Sequence, residues 1–153
     1  MSSFTTTDHE MMGRALDLAR AAAAAGDVPI GAVVAREGEV LGAAGNEREQ
    51  RGDPTAHAEV LALREASVTL GGWRLPDTTI YVTLEPCAMC AGAIALARVP
   101  RLVFATPDPK AGAVGGVIDL YTEGLTNHRP EIDSGLLAAD ASELLSQFFA
   151  DRR

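Results

Sequence analysis

The stretch Leu84-Glu85-Pro86-Cys87-Ala88-Met89-Cys90 decides how this chain is read. It holds the only two cysteines in 153 residues. They follow Thr78-Thr79-Ile80-Tyr81-Val82-Thr83-Leu84, a run of β-branched and aromatic residues with the composition of a strand. A strand running into Pro86-Cys87 predicts a helix from there to about Ala97, on which positions i and i+3 share a face. Both thiols then fall in the first turn, where unpaired backbone N–H groups and the positive dipole end favour thiolate over thiol. Two thiolates so placed bind a soft or borderline cation, for which tetrahedral zinc is the ordinary occupant.

About thirty residues upstream stands Thr55-Ala56-His57-Ala58-Glu59. Asp53-Pro54 reads as an N-cap followed by proline at the first helical position, which predicts a helix through Leu61, Leu63 and Ala66 with His57 and Glu59 in its first turn. His57 is then the third protein ligand of a zinc whose fourth position holds water and lowers that water's pKa. His57 and Glu59 are about 200° apart around an ideal helix. A metal beside the helix cannot meet both, but one off its N-terminal end can, with Glu59 passing a proton from the water to a leaving group. Each piece has a plainer counterpart. A C-x-x-C opening a helix after a strand is also the place of a redox dithiol. A closed structural zinc would need His9 or His128 as a fourth ligand, and such a site has no use for Glu59.

The remainder of the chain predicts an α/β sheet. Thr7 to Glu10 fits a capping box before a helix from about 8 to 25, carrying Met11, Ala15, Leu18 and Ala22 at helical spacing. Apolar runs on either side of Glu37-Gly38 read as a hairpin, and 46–52 as a polar loop. Arg101 to Ala105 reads as a further strand, so that strand and helix alternate from 78 to 105 and imply a parallel crossover with helices on both faces of the sheet. A short element is expected around Val117 to Tyr121 and an edge strand at Glu131 to Asp133. Leu137, Ala141, Leu144, Leu145, Phe148 and Phe149 form the apolar stripe of a last helix.

Length and charge narrow the function. A chain of 153 residues fits one domain, 1–153, able to fold without disulfides or a structural metal, which leaves any metal for chemistry. No run is apolar enough to span a bilayer and the N-terminus lacks the pattern of a signal peptide, so no membrane and a cytoplasmic location are expected. A net charge of −8 argues against non-specific nucleic-acid binding, which rests on neutralising phosphates, but leaves room for a local basic groove.

His57-Ala58-Glu59 with Pro86-Cys87-Ala88-Met89-Cys90 resembles the signature of the zinc-dependent nucleobase deaminases, the cytidine deaminase superfamily. The likeness extends through Val28-Pro29-Ile30-Gly31-Ala32, Asp53 to Glu59, Tyr81 to Cys87, Ala91-Gly92-Ala93-Ile94, Asp108-Pro109-Lys110-Ala111-Gly112 and Asn127-His128-Arg129, where the chain looks like the bacterial tRNA adenosine deaminases. The resemblance implies a three-layer α/β/α cytidine-deaminase-like fold with a five-stranded mixed sheet, a homodimer, one zinc (Zn2+) per subunit, and the wobble adenosine of a tRNA anticodon stem-loop as substrate, converted to inosine. By position it implies His57, Cys87 and Cys90 as metal ligands and Glu59 as proton shuttle. Asn46 and the backbone at Ala58 would meet the target base and Ile30 would wall the pocket. Asp108, Lys110, Asn127, His128 and Arg129 would line the RNA path, with phosphate contacts drawn from Lys110, Arg129, Arg152 and Arg153. Some members carry a hydroxyl residue where Gly116 stands. A deaminase of a free base or nucleoside, guanine or cytosine, would use the same zinc machinery and is the alternative within the superfamily.

Overall fold

A computed structural model describes residues 3–152. The chain runs α1 (Thr6–Ala24), β1 (Gly31–Arg36), β2 (Glu39–Gly45), α2 (Arg48–Arg51), α3 (Ala58–Leu70), β3 (Thr79–Leu84), α4 (Ala88–Leu96), β4 (Arg101–Thr106), β5 (Glu131–Ser134) and α5 (Ala138–Ala150). The strands form one sheet in the order β2-β1-β3-β4-β5. The pairs β2/β1 and β1/β3 are antiparallel, while β3/β4 and β4/β5 are parallel. The expected five-stranded mixed sheet is therefore present, with α4 as the crossover between β3 and β4. Glu37 and Gly38 turn the β1–β2 hairpin with φ of 51° and 78°, the paired positive values that match the twist of the flanking strands.

Strand alternation sorts the side chains into two cores. Val33, Tyr81, Val103 and Ala105 pack on one face with Met11, Met12, Ala15 and Leu16 of α1 and Ala141 of α5. Ala32, Val34, Ile80, Val82, Leu102 and Phe104 point to the other face, against Ala58, Ala62 and Ala66 of α3 and Ala91, Ile94 and Ala95 of α4. The result is three layers, with α1 and α5 on one side of the sheet and α3 and α4 on the other.

Four local expectations are corrected. The capping box lies two residues earlier: the Thr5 hydroxyl accepts from the Asp8 N–H and the Asp8 carboxylate accepts from the Thr5 N–H, each at 3.0 Å. Asp53 does not open α3. Its carboxylate accepts from the N–H and hydroxyl of Thr55, both at 2.8 Å, which closes a turn, and the helix begins only at Ala58 with His57 as N-cap. The polar loop after Asn46 contains the short helix α2. Of the element expected near 117–121 only the bridge between Val114 and Asp119 forms, because the segment 107–130 is built from turns.

Asp8 ties the α1 layer to the sheet. It is buried beneath α1, where it accepts from Tyr81 at 2.7 Å and from both Arg101 terminal nitrogens at 2.8 and 3.2 Å, while Arg101 Nε donates to Asp133 at 3.1 Å. Burial alone would push its pKa up. The hydrogen bonds from Arg101, Tyr81 and Thr5 outweigh that and hold Asp8 well below the usual carboxylate range. Removing one partner of such a pair leaves the other charge buried, so Asp8→Asn should lower unfolding free energy by about 3 kcal/mol in urea titration. A depressed carboxyl stabilises above the unfolded value, about 3.9, and loses that contribution as pH falls through its folded value. Below about pH 4 the stability curves of wild type and Asp8→Asn should therefore converge.

Candidate metal and substrate site

Two helix N-termini meet at the C-terminal edge of β3. His57 is the N-cap of α3 and Cys87 the N-cap of α4, both in extended backbone, while Cys90 sits in the first turn of α4. His57 Nδ1 lies 3.7 Å from Cys87 Sγ and 3.6 Å from Cys90 Sγ. Tetrahedral bonds of ordinary zinc–nitrogen and zinc–sulfur length put N and S about 3.6 Å apart, so the three donors already stand at the corners a metal requires. All three ligand atoms fall within 4.8 Å of one another, and among the described residues no fourth protein ligand joins them. His128 is engaged elsewhere, its Nε2 2.7 Å from the Val99 carbonyl oxygen. The closed four-ligand site considered from the sequence is not formed.

The electrostatics suit a cation. The Cys90 side chain, followed by the N–H groups of Cys90 and Met89 and by His57, outweighs burial and brings the Cys87 thiol down to about 5. Cys90 is pushed up by hydrogen bonding to Cys87 and by burial. The pair thus shares its remaining proton, and a bound cation would displace it. Glu59, in the first turn of α3, is buried, with only 4% of its surface exposed. Burial is the main cause that pushes it up to about 7, assisted by Cys87 and opposed by its own backbone N–H, His57 and Cys90. A carboxyl poised near neutrality can both take and return a proton.

A cavity of about 780 Å³ opens beside these groups. Its inner wall is His57, Ala58, Glu59 and Cys87, joined by Ile30 and Asn46, and its rim includes Asp108 and Lys110. The structure therefore brings together eight of the residues singled out in the sequence, namely Ile30, Asn46, His57, Ala58, Glu59, Cys87, Asp108 and Lys110, with Cys90 behind them. Asn46 has two places in the structure. It lines the cavity, and its side-chain oxygen accepts from the Arg48 N–H at 3.3 Å to close a turn.

Asn127, His128 and Arg129 are not brought to this cavity. They precede β5, whose first residue pairs with Arg101 at the start of β4, whereas the cavity lies past the end of β4. A strand length of roughly 17 Å separates the two ends. Arg152 packs its guanidinium 3.5 Å over the Phe148 ring, and Arg153 lies outside the described residues.

Sequence reading missed three contributors. Arg48 joins the wall because α2 forms there. Asp27 is buried and caps that short helix from a distance, accepting from the Glu49 N–H at 2.6 Å and from Gln50 Nε2 at 2.8 Å. A lone Asp after Gly26 gives no local sign of this. From α5, Ser142, Leu145, Ser146 and Phe149 close the far side. Leu145 and Phe149 belong to the apolar stripe expected for the last helix, yet Phe149 is 47% exposed and both line the cavity, so part of that stripe faces the cavity instead of the sheet.

The model of the MafB19-like deaminases matches residues 6–153. The tRNA-specific adenosine deaminase of Bacillus subtilis is 45% identical over 148 residues, 97% of this chain and 92% of its own length. The chain belongs to this family of deaminases. The resemblance read from the sequence is thereby borne out, and the protein is an enzyme. A solved structure from studies of A-to-I editing by tRNA:A34 deaminases at the wobble position of transfer RNA superposes with a TM-score of 0.87 at 43% identity, covering 89% of this chain and 99% of that one. The guanine deaminase of Nitrosomonas europaea has the same fold at greater distance, with a TM-score of 0.79 and 27% identity over 98% of this chain and 87% of that one. In both comparisons the deaminase core is what is shared.

The donor set makes a direct prediction. Cobalt(II) added to metal-free deaminase should give the visible bands of a tetrahedral ion together with thiolate-to-metal charge transfer. Cys90→Ala should lose the charge-transfer intensity and bind far more weakly. An unchanged spectrum would mean that the metal sits elsewhere.

Proposed function

We propose that this deaminase converts adenosine to inosine at the wobble position of a tRNA anticodon loop, by one domain that uses one zinc ion per chain. The observation that carries the reading is Glu59, buried beside three converging donors, at the inner wall of a cavity larger than a free base needs. The substrate reading rests on the likeness to the tRNA deaminases, 45% and 43% identical, against 27% and 35% for the guanine deaminases of Nitrosomonas europaea and Bacillus subtilis.

His57, Cys87 and Cys90 would hold the zinc, which when bound supplies a Lewis acid that makes water a nucleophile near neutral pH. Glu59 takes a proton at its carboxylate and returns it to the departing amine, so the base loses ammonia and gains the water oxygen. Ile30 and Asn46 orient the base against the Ala58 backbone. A loop nucleotide is the least demanding target, because an unstacked base enters a pocket at a cost of only a few kcal/mol. Arg48 and Lys110, both in the cavity wall, would neutralise phosphates next to the target, despite the net charge of −8. Any contact from Asn127, His128 and Arg129 would concern RNA lying beyond the cavity.

A homodimer is part of the proposal. It is supported by α4, whose outer stripe leaves Met89 and Leu96 exposed, 38% and 71%, with the small residue Ala93 between them. No described helix is long and apolar enough to cross a membrane. A cytoplasmic location is part of the same proposal and rests on tRNA as the substrate.

The test is inosine formation on an anticodon stem-loop, run beside free adenosine, cytosine and guanine. The hairpin should be converted and guanine left intact. Glu59→Ala should keep its metal and fold while losing turnover by about a thousandfold. Efficient turnover of free guanine with an untouched hairpin would replace this reading with the free-base one.

A further inference from the structure

Glu85 is a buried acid that the chemistry above does not use. Its relative exposure is 3%, although it stands two residues before the first thiolate. Its carboxylate accepts three backbone N–H groups from one loop: Oε1 from Asp108 at 3.0 Å, and Oε2 from Val114 at 2.9 Å and Gly116 at 2.8 Å. Its own N–H donates to the Thr106 carbonyl at 2.9 Å, and the next carbonyl, of Pro86, accepts from Ala113 at 2.9 Å. The segment 106–116 is thus docked on the two residues that precede the metal helix.

Two glycines make room for this arrangement. A Cβ on Gly116 would stand 2.7 Å from Glu85 Oε1 and 2.6 Å from the Asp108 carbonyl oxygen, and one on Gly112 would overlap the carboxylate itself. Three converging donors suit an acceptor-only carboxylate, whereas an amide of the same shape would set its NH2 against at least one N–H. From Asp108 the order passes outward. The Asp108 carboxylate accepts from the N–H of Lys110 at 2.9 Å and of Ala111 at 3.3 Å, closing the turn that places Asp108 and Lys110 on the cavity rim.

We infer that Glu85 is a positioning residue that fixes the distance between the reacting base and the rim contacts at Asp108 and Lys110, and so sets affinity for a base carried on an RNA strand. The inference rests on the tRNA reading. The groups that perform chemistry, His57, Glu59, Cys87 and Cys90, stand on α3 and α4 and at their caps, not on this loop. Loosening the loop should therefore cost binding of the flanking nucleotides and spare the bound reaction.

Glu85→Gln is the test. The Gln oxygen can still accept from Val114 and Gly116 while its NH2 faces the Asp108 N–H, so the variant releases the rim selectively. On an anticodon hairpin KM should rise about tenfold, the effect of losing one charged hydrogen bond, with kcat within about twofold of wild type and metal content unchanged. Gly112→Ala, which displaces the same carboxylate from the other side, should reproduce the rise and serves as the test if Glu85→Gln does not fold. A purely structural role would instead lower kcat and metal content together at constant KM, as a reduced active fraction does, and would overturn the inference. So would a KM equal to wild type in a folded, metal-loaded variant. A wild-type enzyme inert on the hairpin would overturn the tRNA reading as well, and that outcome is distinct because it appears before any substitution is made.

Discussion

The structure depends on the meeting of two helix N-termini at one edge of the sheet. An open helix start presents N–H groups without partners and a partial positive charge. Two such starts, those of α3 and α4, face each other across 3.6 to 3.7 Å between His57 and the cysteine sulfurs. Thiolates would relieve that field, and a metal cation would in turn satisfy the thiolates. Neither His57 nor Cys87 caps its helix by a side-chain hydrogen bond, so both side chains remain available to a ligand.

The sheet exists, in functional terms, to keep those two starts in register. β3 delivers Cys87 through Glu85 and Pro86, and α3 packs over β1 and β2 with Ala58, Ala62 and Ala66, small residues that let the helix lie close. On the opposite face the network of Asp8, Tyr81, Arg101 and Asp133 joins α1 to β3, β4 and β5, the frame on which the loop after β4 is carried. The groups proposed for chemistry and those proposed for recognition consequently stand on different parts. Helix starts hold His57, Cys87, Cys90 and Glu59, and a turn-rich loop fastened to Glu85 holds the rim.

Much of this was legible in the sequence because it is local. Cys87 and Cys90, three apart at the end of a β-rich run, and His57 two before Glu59, carry their geometry in their spacing, and the alternation of strand and helix from 78 to 105 dictates the parallel crossover. What escaped was non-local, with one exception two residues in length. Asp53-Pro54 has the chemistry of a helix start, but Asp53 spent its oxygen on Thr55 and the helix waited for His57. Leu145 and Phe149 are indistinguishable by period from core residues, and only the tertiary fold turns them toward the cavity. Glu85 looked like a neighbour of the motif, since its three donors lie 23 to 31 residues further along the chain.

In the proposed reaction Glu59 and the three converging donors direct water onto the wobble adenosine of a tRNA anticodon loop. Its most direct test is to run the reaction on a defined anticodon hairpin in oxygen-18 water and to analyse the digested nucleosides by mass spectrometry. Inosine is expected at the wobble position only, with the heavy isotope at the base carbon that lost its amine. Absence of inosine from the hairpin, or inosine without solvent oxygen, would contradict it.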